Sequence, residues 1–106
     1  MFGRQVTLKL KANSATELNR IAEAEILPIL RKQKGFRDET ILIARERSEA
    51  IANSFWDTKA DADAYGRTAY PEVLKALSNV IDGMPTVKTF EFVSSSFHQA
   101  ATSKLI

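Results

Sequence analysis

The chain has 106 residues, of which 44% are hydrophobic and 26% charged; 15 Lys and Arg stand against 13 Asp and Glu, for a formal charge of +2. That balance fits one globular domain and excludes collagen-like, low-complexity and disordered compositions. The absence of cysteine excludes a disulfide framework, thiolate chemistry and Cys-built metal centres.

From Arg4 to Lys11, Val6, Leu8 and Leu10 alternate with polar neighbours, which predicts a strand with one wet face. Ser14 followed by Glu17 matches a capping box, and Leu18, Ile21, Ala22, Ile29 and Leu30 carry a helical stripe to Lys34. Pro28 has no N–H to donate, so the helix should kink or restart there. Gly35 is its natural stop. A second strand is expected from Phe36 to Arg47, and because Ile41-Leu42-Ile43-Ala44 are apolar in succession, both of its faces should be covered.

Glu46 to Ala50 supplies a hairpin connection and Ile51 to Asp57 a third strand, in which Phe55 and Trp56 must point opposite ways. Thr58 with Asp61 forms an N-cap pair for a helix from Ala60 to Tyr70. Pro71 suits the first turn of a renewed helix, continued by Val73, Leu74, Leu77, Val80 and Ile81. Asp82-Gly83-Met84-Pro85 ends it. A fourth strand should run from Thr86 to Ser95, with Phe90 and Phe92 on one face and Val87 and Val93 on the other. The domain then spans residues 1–95, and residues 96–106, which lack any period, read as a C-terminal tail or arm.

The order β-α-β-β-α-β predicts an α+β fold of the ferredoxin-like kind, an antiparallel sheet with two helices on one face. The sheet's other face is then open, yet the second and third strands carry apolar residues on both sides. Burying an Ile, Leu, Phe or Trp side chain contributes roughly 1.5–3 kcal/mol, and several left on one open sheet exceed what monomers normally expose. A homodimer packed through these faces resolves the conflict.

Three strings carry a family likeness: the strand Gln5-Val6-Thr7-Leu8-Lys9-Leu10, the run Ile26-Leu27-Pro28-Ile29-Leu30-Arg31 leading to Lys34-Gly35-Phe36, and Phe55-Trp56-Asp57-Thr58 before an Ala-rich helix. Over residues 4–93 the chain resembles the antibiotic biosynthesis monooxygenase family of the dimeric α+β barrel superfamily. The resemblance implies a homodimer whose sheets form a barrel, with a pocket in each protomer between sheet and helices. It also implies, for an enzyme, oxygenation of a small aromatic or quinol-type molecule without a bound cofactor; a non-catalytic ligand-binding or dimerisation domain is the alternative. Haem-degrading relatives pair the strand-end Trp with a His about ten residues later and use an Asn in the first strand. Here the corresponding residues are Gly66 and one of Val6, Thr7 and Leu8, which disfavours haem degradation. Quinone-forming relatives commonly place an Asn shortly before the Trp; Ala52 stands there, beside Asn53.

The expected pocket residues are Trp56, as a flat wall with an indole N–H donor, Tyr65, as a phenol donor on the second helix, and Asn53, as an orienting amide. If the strand is regular, Asn53 points to the opposite sheet face from Trp56. Tyr70 is a second phenol, set where Pro71 bends the helix. Arg45 and Arg47 suit a solvated hairpin better than an anion site. His98 is the one side chain that titrates near neutrality unaided, but no carboxylate or serine is placed with it, and no convincing general base emerges. A single histidine with scattered acids gives no metal-ligand spacing, and there is neither a glycine-rich phosphate loop nor a Gly-x-Ser-x-Gly elbow. Basic residues do not cluster as nucleic-acid binding requires, and no apolar run reaches the ~18–20 residues of a membrane span. Nor does the N-terminus read as a signal peptide, so the expected location is cytoplasmic.

Overall fold

Strict alternation makes the first strand, β1 (Phe2–Lys9): Arg4, Val6 and Leu8 are buried on one face while Gln5 and Thr7 are only half-buried on the other. The computed structural model describes residues 1–93. Three further strands, β2 (Phe36–Ala44), β3 (Glu49–Trp56) and β4 (Thr86–Glu91), complete an antiparallel sheet in the order β2-β3-β1-β4. The expected α+β arrangement holds, with all helices on one sheet face. No helix among the described residues is long and apolar enough to cross a membrane.

The first helical segment has three parts: α1 (Ala15–Ile21), a π turn (Ala22–Ile26) and α2 (Leu27–Arg31). The break falls just before Pro28, in the first turn of α2, where a missing N–H costs nothing. The expected capping box does not form. Ser14 has ψ near 0, away from the extended backbone that an N-cap serine uses, and Glu17 turns instead to Arg20 at 2.7 Å. The helix ends at Arg31, with Lys32 as a right-handed C-cap, before the expected stop; Gly35, at φ +81°, makes the turn into β2 instead.

β2 stops at Ala44, earlier than its composition suggested, because Arg45–Arg47 make a 3₁₀ turn and left-handed Ser48 reverses the chain; β3 accordingly starts at Glu49. Thr58 caps α3 (Lys59–Thr68) by accepting the Asp61 N–H at 3.1 Å, and α4 (Tyr70–Leu77) restarts at Pro71. Val80 and Ile81 lie beyond that helix, where Ile81 bridges to Leu10. β4 ends at Glu91, short of the expected Ser95; residues 94–106, including the proposed tail and His98, lie outside the described residues.

One irregularity matters for the site. A β-bulge lies between Phe36 and Asp38, so that Phe36 pairs with Trp56 and Asp38 with Phe55. Arg37 is the extra residue, and its guanidinium bonds the Asp57 carboxylate. Without the bulge Phe36 and Glu39, three apart, would point to opposite faces; with it both point toward the helices. Leu8, Leu18, Leu30 and Trp56 are the fully buried centre of the core between sheet and helices. In the single chain the sheet's second face is open: Leu42 is 60% and Phe90 50% exposed.

Candidate functional site

Glu39, Ser54 and Arg4 stand in one row across β2, β3 and β1, since Ser54 is the register partner of both others. Residues directly opposite in an antiparallel sheet share a face, and here it is the face under the helices. With Tyr65 and Tyr70 from above, these three put the polar groups into an otherwise apolar slot whose floor includes Val6, Ile41 and Ala52. Its interior offers about 40 Å³ to the centre of a water-sized sphere. The slot is therefore narrow.

Arg4 is only 7% exposed. Its guanidinium lies 4.0 Å from the Tyr70 ring centre and 5.2 Å from that of Tyr65, cation–π contacts that offset part of its desolvation. Gly66 adjoins it: a Cβ there would stand 3.5 Å from the Arg4 terminal nitrogen. No ion pair joins Arg4 to any carboxylate among the described residues. At the other end of the row, burial pushes the Glu39 carboxyl up to about 7, with the neighbouring Asp38 charge adding to the effect. Burial also raises the Tyr65 and Tyr70 phenols above their ordinary range, opposed by the Arg4 charge, so both are neutral hydrogen-bond donors at neutral pH.

Behind the slot the aromatic residues form a stack. Trp56 is fully buried, lies 4.9 Å from the Tyr65 ring at 28°, and takes the Phe36 ring edge-on at 5.6 Å. Its indole N–H donates to Ser54 Oγ at 2.9 Å, and the Ser54 hydroxyl reaches the Arg4 carbonyl at 3.4 Å. Of the three expected pocket residues, Tyr65 reaches the slot wall, while Trp56 backs Tyr65 from within the core. Asn53 is on the far sheet face, where regular alternation carries it: its carbonyl accepts from Gln5 at 3.2 Å and its amide donates to Thr40 at 3.4 Å. Arg45 and Arg47 sit on the exposed 3₁₀ turn, away from the row. The residues that the sequence reading missed are Arg4, Glu39 and Ser54.

No family model and no curated protein matches the chain by sequence. Solved structures do. The monooxygenase from the gene ActVA-Orf6 of Streptomyces coelicolor, in complex with nanaomycin D, superimposes with a TM-score of 0.73 over 89% of this chain and 88% of its own, at 16% identity. SnoaB, a cofactor-independent oxygenase from Streptomyces nogalater, gives 0.68 over 90% and 95%, at 13% identity. The chain has the fold of the antibiotic biosynthesis monooxygenases. That monooxygenase fold also serves proteins with no assigned role: NE2512 of Nitrosomonas europaea, of unknown function, gives 0.71 over 90% and 91%, at 17% identity. Position 66, where the family resemblance sets the histidine of haem-degrading relatives, is a glycine beside the Arg4 guanidinium.

Proposed function

We propose that the slot binds a small planar aromatic or quinol-type molecule and promotes its oxygenation without a bound cofactor. The observation that carries this reading is a carboxyl with its pKa raised to about 7 facing the same apolar slot as a buried guanidinium. Glu39, ionised in about half the molecules at neutral pH, takes a proton from an activated methylene or hydroxyl. Arg4 stabilises the resulting enolate or phenolate, aided by the Tyr65 hydroxyl as a neutral donor. For a methylene substrate the anion gives one electron to O2, the radical pair combines to a peroxide, and loss of water leaves a carbonyl. Overall, CH2 and O2 become C=O and H2O. The walls of the slot hold the substrate in place, which supplies orientation. The neighbours that are an oxygenase and a ligand-bound monooxygenase support this reading by fold.

The test is oxygen uptake with an anthrone and with a substituted hydroquinone. Glu39→Gln should lower turnover about 100-fold, and the wild-type rate should rise with pH through a midpoint near 7. Uptake no faster than in buffer, or unchanged in Glu39→Gln, overturns the reading. The narrowness of the slot favours one alternative, a domain that holds a flat ligand without turning it over; ligand binding without oxygen uptake would select it. In either case we infer a homodimer, with a second copy covering the open sheet face.

A further inference from the structure

We propose that Arg4 is an anion receptor, and that the slot selects planar monoanions whose charged oxygen, carboxylate or phenolate, meets Arg4 while a proton-bearing group on the opposite side of the ring meets Glu39. This rests on the slot being the ligand site, as argued above, but not on turnover.

A buried cation is expensive unless it is paired. Arg4 is 93% removed from solvent by the exposure already given, lines the slot, and among the described residues has aromatic faces but no anion beside it. The ring faces and the Tyr70 hydroxyl leave donors of its planar fork without a charged acceptor, and a carboxylate or phenolate supplies one. Glu39 does not fill that role. It stands beyond Ser54 in the row, two strand spacings or roughly 10 Å away at the backbone, and makes no ion pair with Arg4.

The same spacing sets the ligand's shape. With both side chains leaning into the slot, the gap over Ser54 suits one ring with substituents at opposite ends. Gly66 adjoins the Arg4 end, where a Cβ would meet the guanidinium at ordinary contact distance.

The probe pair is 4-hydroxybenzoate and 4-hydroxybenzamide, nearly identical in shape and differing in charge, titrated calorimetrically into the full chain at pH 6. The acid should bind at least tenfold more tightly than the amide. Arg4→Met should bring the two affinities together, and Arg4→Lys should keep part of the preference. Because Arg4→Met also removes an unpaired buried charge, its melting temperature should not fall. Equal affinities in the wild type, no binding of either probe at millimolar concentration, or a preference that survives Arg4→Met overturns the proposal. The wild-type comparison decides even if a variant fails to fold. Lost anion preference with retained oxygen uptake would sink this inference alone; retained preference without uptake would sink only the catalytic reading.

Discussion

Glu39 shows what one residue's surroundings do to its chemistry. Burial and the Asp38 charge raise its carboxyl from an ordinary 4.5 to about 7, with Tyr65 adjoining and Arg4 too distant for an ion pair. Between those two values the folded protein keeps a proton that the unfolded chain has released. Stability is therefore full below pH 4.5, falls as pH rises toward 7, and levels above it. Allowing for the part of the side chain that water reaches, the loss is about 2 kcal/mol. Urea denaturation at pH 4.5 and pH 8 should show this decline in the wild type and not in Glu39→Gln; parallel profiles would contradict the burial argument. Arg4 was legible in principle, because it stands in phase with Val6 and Leu8 on the strand's apolar face, and an arginine in that phase calls for an explanation. Glu39 was not, since the unbroken apolar run Ile41–Ala44 gives β2 no alternation from which the buried face of its neighbours can be read. Tyr65 was named as a phenol on the second helix able to line a pocket, and both it and Tyr70 line the slot.

At the scale of elements, the order of strands and helices followed from periodicity, and the capping and punctuation residues divided by how local their physics is. Thr58 caps as expected, but the Ser14 box is displaced by the Glu17–Arg20 pair and a backbone conformation that only the tertiary turn after β1 imposes. Strand ends were misjudged where a reversal is built from ordinary residues, as at Arg45–Ser48. Gly35 is the opposite case, punctuation with two functions. Its left-handed backbone makes the turn between α2 and β2, its carbonyl accepts the Asp57 N–H at 2.8 Å, and a Cβ would fall 2.1 Å from the Asp61 carboxylate. It thus locks that turn to the first turn of α3, which carries Tyr65. Gly35→Ala combines positive-φ strain with that collision and should cost about 2 kcal/mol or more, lowering the melting temperature by roughly 10 °C. A change within a degree or two would mean that the turn relaxes freely.

For the whole molecule, the question is what shields the second sheet face. Its centre is already prepared for burial: Gln5, Asn53 and Thr40 form a hydrogen-bonded row across three strands, so their polar groups need no water. Around that row are apolar side chains, Ile51 half-buried and Leu42 and Phe90 largely exposed in the single chain. The apolar run in β2 made this face visible in the sequence, whereas the single chain alone does not supply its cover. A two-fold partner would place the same residues of both copies in one interface, so a change at Leu42 acts twice. Leu42→Glu forfeits roughly 1.5–2 kcal/mol of burial per copy and adds a charge to desolvate, which should raise the dissociation constant at least ~100-fold. Sedimentation velocity at micromolar concentration should therefore find the wild type as two copies and Leu42→Glu as one, with the fold retained by circular dichroism. A wild type that sediments as one copy would leave the apolar face without its cover and remove the dimer. The lining residues described here, Arg4, Glu39, Ser54, Tyr65 and Tyr70 among them, would keep their places in that result.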